Sequence, residues 1–163
     1  MEYNISAMEV IFNMFRLKPL DRLFPLAQKN NVGIIARVPL ASGLLTGKYT
    51  KDTVFGAQDH RSYNRDGAAF DKGETFSGVP YELGLQAVAE LKKAFGTEDL
   101  AAIAIRWVLM HPEVSVVIPG ASRAEQVRSN IRAAGLDPLP AHQMQAVRDI
   151  YDRFLRESIH PQW

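Results

Sequence analysis

The sequence predicts an α/β fold in which parallel β-strands alternate with helices. Three short apolar runs rich in β-branched residues, at 9–15, 32–38 and 114–118, have the composition of strands. The segments between them carry apolar residues at helical spacing. A strand, helix, strand order of this size favours a parallel sheet covered on both faces.

The composition predicts one globular domain over residues 1–163. The chain is 47% hydrophobic and 23% charged, which is enough apolar material for a core. Its formal charge of +1 gives no general attraction to nucleic acid or anionic lipid. Cysteine is absent, which excludes disulfides and thiol chemistry and is compatible with a cytoplasmic location. We therefore expect neither a nucleic-acid nor a membrane partner, and no metal, because the histidines have no partners at ligand spacing.

The first two strands enclose one helix. The run 9–15 is the first strand, and Pro19 favours a turn and a helix start after it. The helix is predicted over 20–28, where Pro25 should shorten or kink it. The second strand, 32–38, stops at the next proline, so the segment reads as one βα unit followed by a strand.

Residues 50–78 form a different kind of segment. They are polar and rich in Asp, Gly, Ser and Asn, with few periodic apolar positions. Loops longer than about 15 residues inside compact domains are often lids or binding loops. The segment is therefore predicted to be a long loop on the cofactor or substrate side of a site.

Two helices are predicted after this loop. The first runs from Pro80 to Phe95 and ends at Gly96. Thr97 is expected to cap the second, which is apolar nearly all round over 100–110 and must be buried. Trp107 should then be a core residue, and His111 should contact the last carbonyls of that helix.

The third strand leads into a corner that resembles an anion site. The run 114–118 is unbroken and apolar, so we expect it to be buried. A Pro-Gly turn follows, and Ser122 stands three residues before Glu125 as a capping box for a helix that ends at Gly135. The free N–H groups of that helix could bind a phosphate, although such joints also occur with nothing bound. A last amphipathic helix carries Val147, Tyr151 and neighbouring apolar residues.

Two motifs together resemble the aldo-keto reductase family, in the branch of bacterial general-stress reductases and potassium-channel β subunits. Residues 38–49 read VPLASGLLTGKY, and residues 118–122 read IPGAS, followed by Gln126 and Asn130. The resemblance covers residues 9–154. It implies a (β/α)₈ barrel that reduces aldehydes or ketones by hydride transfer from NADPH. Only about the last three βα units and the C-terminal helix of that TIM barrel correspond to this chain.

The same resemblance leaves the catalytic residues unassigned. In the family, the Asp, Tyr, Lys and His that protonate the carbonyl lie on earlier strands, and none of them maps onto this chain. We therefore assign no catalytic residue. One hypothesis is a partial reductase that supplies the cofactor-binding half of an enzyme. The other is a noncatalytic module that binds a nucleotide or completes another barrel segment. Open sheet edges predict self-association, or association with the missing half, in either case.

The resemblance also implies which residues hold the dinucleotide. After the second strand, the loop would wrap the pyrophosphate with backbone N–H groups, and Lys48 would add charge. The loop residues are Pro39, Leu40, Ala41, Ser42 and Gly43. The glycine could instead serve the turn alone.

The second part of the implied site follows the third strand. Gly120 would let the chain pass the adenosine, and Ser122 and Arg123 would meet its 2′-phosphate, which favours NADPH over NADH. Gln126 and Asn130 would reach the ribose and the adenine, since positions four apart share a helix face. Arg123 could also be an ordinary surface charge.

Three positions depart from the family pattern or stay open. Glu9 stands where members commonly have a Gln that bonds the nicotinamide carboxamide, and a carboxylate can only accept hydrogen bonds there. Arg37 occupies the place of a side chain that usually stacks on the nicotinamide. In the long loop, Arg61 corresponds to a second phosphate-binding Arg, with Arg65 as the alternative.

Overall fold

The three strands form one parallel sheet in chain order, with the second strand in the centre. The computed structural model describes residues 4–162, so residues 1–3 and 163 of the predicted domain lie outside it. The strands are β1 Ala7–Ile11, β2 Gly33–Arg37 and β3 Val114–Ile118. Arg37 lies opposite Ile11 on one side and Ile118 on the other, so the strands end at one level. The predicted α/β class and parallel sheet are confirmed.

Helices pack against this sheet to form the core. Among the described residues they are α1 Leu23–Lys29, α2 His60–Tyr63, α3 Tyr81–Phe95, α4 Ala101–Leu109, α5 Ala124–Ala134, α6 Ala141–Phe154 and α7 Arg156–Ile159. Phe12 connects the layers, because its ring lies 4.7 Å from that of Phe24 and 5.1 Å from that of Trp107. The core position predicted for Trp107 is confirmed. The helix α4, predicted to be buried nearly all round, is fully buried on one face and half-buried on the rest. His111 also contacts the Trp107 carbonyl through Nδ1 at 3.0 Å, as predicted.

The first βα unit differs from the prediction at its ends. β1 stops at Ile11 rather than at residue 15, because the chain turns at the buried Asn13. The Asn13 side-chain oxygen accepts a hydrogen bond from the Phe15 backbone at 2.9 Å, which closes this turn. α1 begins only at Leu23, after a 3-10 turn at Lys18–Leu20. Pro25 therefore lies in the first turn of α1, where its missing N–H costs nothing. The helix is shorter than the predicted 20–28, so of the two predicted effects of Pro25 the structure shows shortening.

Two predicted helix caps are replaced by neighbouring residues. The Asp99 carboxylate, not Thr97, accepts a hydrogen bond from the first residue of α4, at 3.2 Å. At α5 the residue that bonds back is Gln126 rather than Glu125, so the predicted Ser122–Glu125 capping box was wrong. Both helix starts are still capped, but the capping residue lies one or two positions after the predicted one.

The third strand is less buried than its composition predicts. Val116 and Ile118 are 42% and 45% exposed, because β3 is an edge strand of the sheet. Val127 and Ile131, four residues apart on α5, are exposed as well. The expectation of a strand and sheet covered on both faces was therefore wrong at this edge.

The long loop is structured. It contains α2 and 3-10 turns at Lys72–Glu74 and Phe76–Gly78, and it returns to the end of β2. No helix within residues 4–162 combines the length and hydropathy needed to cross a bilayer.

Candidate functional site

A cavity of about 980 Å³ lies where the strands end. Arg37 and Ile118, the last residues of β2 and β3, line it together with Glu9 of β1. The Ser42 corner and the Ser122 corner both face this one cavity. Its volume lies at the upper end of the range usual for small-molecule sites.

Ten of the predicted site residues line the cavity. They are Glu9, Arg37, Pro39, Leu40, Ser42, Gly43, Arg61, Gly120, Ser122 and Gln126. Sequence reasoning missed a second set of lining residues, which are Val38, Thr46, Tyr49, His60, Phe70, Glu74, Ile118 and Ala121. Three of the missed residues, His60, Phe70 and Glu74, come from the long loop, whose composition has no apolar periodicity.

Four predicted residues are not among those that line the cavity. Ala41 is fully buried under the first corner. Lys48 is exposed, and its Nζ lies 3.4 Å from Oδ2 of Asp99. Arg123 precedes α5 and is exposed, while Asn130 lies half-buried further along that helix.

The corner after β2 has an unusual backbone. Val38, Ala41 and Ser42 have φ values of 54°, 46° and 54°, in the left-handed region that L side chains rarely adopt. Gly43 continues this conformation at 96°, and the Tyr49 phenol occupies the space that a side chain at Gly43 would need. Such strain persists only where the surroundings hold it in place, and it concentrates at functional sites.

Two side chains hold this strained corner. The Asn13 amide nitrogen donates to the Val38 carbonyl at 2.9 Å and to the Ser77 hydroxyl at 2.7 Å. The Ser42 hydroxyl donates to the Glu74 carbonyl and accepts from the Phe76 backbone, both at 3.0 Å. The Ser42 hydroxyl is thus committed to the loop, so a ligand at this corner meets mainly backbone groups.

A cluster of charges occupies the strand ends. Arg37 Nη1 donates to Oε2 of Glu74 at 2.7 Å, and its second amino group donates to the other carboxylate oxygen. Glu9 lies on the other side of the guanidinium, with its Oε1 4.0 Å from Nε. The hydrogen bond from Arg37 lowers the pKa of Glu74, so this carboxylate is charged at neutral pH. Arg37 is therefore bound by a carboxylate that sequence reasoning did not identify.

Arg61 is the loop arginine at this cavity. Its Nε donates to Oδ1 of Asp59 at 2.8 Å, and its Nη1 donates to the Tyr49 hydroxyl. The hydrogen bonds from Arg61 lower the pKa of Asp59 to about 2. Arg65 lies elsewhere, with its guanidinium 4.9 Å over the Tyr81 ring at a second cavity.

The corner after β3 is held by Gln126 and is open at Gly120. The Gln126 side-chain oxygen accepts from the backbone N–H groups of Ser122 and Arg123, at 2.7 and 3.2 Å. No atom lies within 4 Å of the position that a Cβ at Gly120 would take. The chain thus leaves open space beside a helix start, in a cavity whose volume is usual for a small-molecule ligand.

No group of three or more His, Asp or Glu side chains within residues 4–162 is arranged to hold a metal ion. His60 lines the cavity, but its nearest acidic contact is Asp59, at 3.7 Å.

Comparison with known proteins identifies similar sequences. The model of the Aldo/keto reductase family matches residues 1–152. A probable voltage-gated potassium channel subunit beta of Arabidopsis thaliana is 33% identical over 137 residues, covering 78% of this chain and 38% of that protein. The L-glyceraldehyde 3-phosphate reductase of Escherichia coli K12 is 37% identical over 106 residues, covering 65% of this chain and 30% of that protein.

A solved structure agrees with these sequence matches. The glycerol dehydrogenase of Gluconobacter oxydans superimposes with a TM-score of 0.71 at 30% identity, covering 96% of this chain and 45% of that chain. The chain thus spans less than half the length of the relatives it matches.

Proposed function

The chain belongs to the aldo/keto reductase family, and on that premise we propose that it supplies the dinucleotide-binding part of an NADPH-dependent oxidoreductase. The enzyme would reduce aldehydes or ketones. In this proposal the chain is the last three βα units and the C-terminal helix of a (β/α)₈ barrel. The observation that carries the proposal is that the Ser42 and Ser122 corners line one cavity at the ends of parallel strands.

Each corner has a separate role in the proposed site. The backbone N–H groups of Leu40 and Ser42 hold the pyrophosphate, since those of Ala41 and Gly43 already donate to the Val38 and Leu40 carbonyls. Arg61 adds a charge that Asp59 partly neutralises. Gly120 gives the adenosine room, and Ser122 lies at the 2′-phosphate. Gln126 fixes the backbone of this corner through its side-chain oxygen, so its role is to position the corner.

The remaining assigned residues lie at the edges of this site. Glu9 and Arg37 form the nicotinamide end, where bound NADPH supplies the hydride. Arg123 and Asn130 flank the adenine end from the start and middle of α5. Lys48, paired with Asp99, contributes only a long-range positive charge. The loop 50–78 closes the cofactor side through its Arg37–Glu74 contact.

The proton donor lies outside this chain in our proposal. Tyr49 is the one phenol among the residues that line the cavity, and its hydroxyl is held by Arg61. Burial raises the pKa of Tyr49, which makes it a weaker acid and a poorly tuned donor. We therefore assign no catalytic residue here. The substrate class is a small carbonyl compound, the location is cytoplasmic, and neither nucleic acid nor membrane is a partner.

Titration of the protein with NADPH, followed by nucleotide fluorescence, tests the proposal. Gly120→Ala should weaken binding at least about tenfold while leaving the unfolding temperature unchanged, since a methyl group meets only the ligand there. Gly56→Ala is the matched control, because a Cβ at Gly56 also meets nothing within 4 Å and Gly56 does not line the cavity. Equal NADPH affinity in the two variants, or no saturable binding to the parent chain, would overturn the proposal.

A second candidate function is an association module that completes another barrel segment or binds a second copy. The exposed apolar side chains of β3 and α5 favour it, since a soluble edge strand is usually paired or covered. Light scattering measures the mass in solution. Ile131→Asp should reduce association if this surface is used, and a parent chain that stays monomeric at high concentration would contradict this candidate.

A further inference from the structure

A second cavity, of about 490 Å³, lies between the long loop and the start of α3. The residues that line it are Lys51, Thr53, Arg65, Asp66, Lys72, Phe76, Gly78, Val79, Pro80, Tyr81 and Glu82. It shares no lining residue with the cavity at the strand ends. A role for this cavity therefore does not depend on dinucleotide binding.

The second cavity carries charged side chains that make no ion pair in the described part of the chain. Lys51, Arg65 and Lys72 line it together with Asp66 and Glu82, for a local charge of +1. None of these five forms an ion pair within residues 4–162. The arginines of the first cavity are, in contrast, both bound to carboxylates.

Arg65 is held in place with most of its donors unused. Its Nε donates to the Arg61 carbonyl at 2.8 Å, and its guanidinium lies 4.9 Å from the Tyr81 ring centroid and 6.0 Å from that of Phe76. The terminal amino groups have no hydrogen-bond partner in the described part of the chain. A guanidinium that is stacked and tethered in this way is pre-organised to bind an oxyanion, because little side-chain entropy remains to be lost.

Aromatic rings form an apolar floor beside these cations. The Phe76 and Tyr81 rings lie 5.2 Å apart, and the Tyr81 hydroxyl donates to the Thr50 carbonyl at 2.8 Å, which fixes its ring. Asp66 and Glu82 reduce the attraction for a bare anion. A ligand that combines an anionic group with an apolar part matches the cavity better than an inorganic ion does.

We propose that this second cavity binds a small organic phosphate. Lys51, Arg65 and Lys72 would hold the phosphoryl oxygens, and the carbon skeleton would lie against Phe76 and Tyr81. Three positively charged donors match a phosphate dianion, and the two aromatic rings favour an aromatic or otherwise apolar substituent.

Calorimetric titration of the full chain with phenyl phosphate tests this site. We expect saturable binding with one ligand per chain, weakened by added salt, and at least about tenfold weaker binding of inorganic phosphate. Arg65→Ala should weaken phenyl phosphate binding about tenfold, because it removes a charged hydrogen-bond donor. Lys93→Ala is the matched control, since Lys93 is an exposed cation that already pairs with Glu90.

Lys72→Ala gives an independent check if Arg65→Ala perturbs the fold, and it should weaken phenyl phosphate binding about threefold or more. Absence of saturable binding, or unchanged affinity in both variants, would overturn the proposed phosphate site. NADPH titration of the same variants separates the two sites. Loss of phenyl phosphate with retained NADPH affinity supports a separate second site, whereas parallel loss of both ligands contradicts it.

Discussion

Arg37, at the end of β2, and Glu74, in the long loop, form a two-point ion pair. The Ser42 hydroxyl bridges the backbone on both sides of the same loop turn. These contacts fasten a segment of polar composition to the end of the central strand β2 and to the corner that follows it. The shape of the cavity therefore depends on side chains that lie 37 positions apart in the chain.

Glu74→Gln should loosen the loop with little effect on the rest of the fold. The pair is about one-third exposed, so we expect the free energy of unfolding to fall by only about 0.5–1 kcal/mol. Limited proteolysis should instead show cleavage within 50–78 several times faster, since the local opening becomes easier. Glu90→Gln, which removes an exposed pair with Lys93, is the control. Identical cleavage rates in both variants would contradict the tether.

Asn13→Ala should be strongly destabilising. Asn13 is fully buried, and its amide satisfies the Val38 carbonyl and the Phe15 N–H. Leaving these groups unpaired in the interior should lower the free energy of unfolding by about 2–3 kcal/mol, measured by urea denaturation. Asn30→Ala, at an exposed helix end, should cost much less, and similar losses in both variants would argue against the buried turn.

Asp59 should make stability depend on acid pH. Its folded-state pKa is lowered from 3.8 to about 2 by Arg61, so folding favours the charged form. The stabilisation is complete above about pH 4 and is lost as the pH falls through about 2. Its size is about 1 kcal/mol after allowance for solvent screening.

Asp59→Asn should therefore flatten the fall in unfolding free energy below about pH 4, measured by denaturation across that range. The amide still accepts the Arg61 backbone hydrogen bond that caps α2. Asp137→Asn, at an exposed position, should keep the parental slope. If the unfolding free energy of Asp59→Asn fell with pH as steeply as that of the parent, Asp59 would be excluded as the cause of the acid dependence.

Gly43→Ala should destabilise the corner after β2. Its φ of 96° disfavours any side chain, and the Tyr49 phenol already fills the space. We expect the free energy of unfolding to fall by about 1–2 kcal/mol in thermal denaturation. Gly120→Ala should have no such effect, because the space around Gly120 is open. Equal losses of unfolding free energy in the two variants would contradict the difference between a crowded Gly43 and an open Gly120.

The sequence predicted correctly those helices and strands that are defined by a pattern of neighbouring residues. The β2 run and the α3 helix with its terminal Gly96 were predicted within a residue or two, because apolar periodicity and left-handed glycines are properties of a few neighbouring residues. The corner after β3 was indicated by its Pro-Gly turn and helix start, whereas the corner after β2 was identified only through the family resemblance.

The contacts that shape the site could not be predicted in this way. Glu74 contacts Arg37 only because the loop folds back onto the end of β2. The sequence around either residue gives no pattern that predicts this contact. Gln126 was assigned to a ligand, yet its side-chain oxygen bonds the corner itself, since an amide fits both roles. The exposure of Val116 likewise follows from sheet order rather than from residue type.

The half-exposed β3 has a consequence for handling the protein. Its outer edge offers unpaired backbone groups beside Val116 and Ile118, which is the kind of surface that templates addition of further strands. Recovery of native material after denaturation should then fall as the concentration rises, and heterologous expression should benefit from chaperones that shield apolar segments.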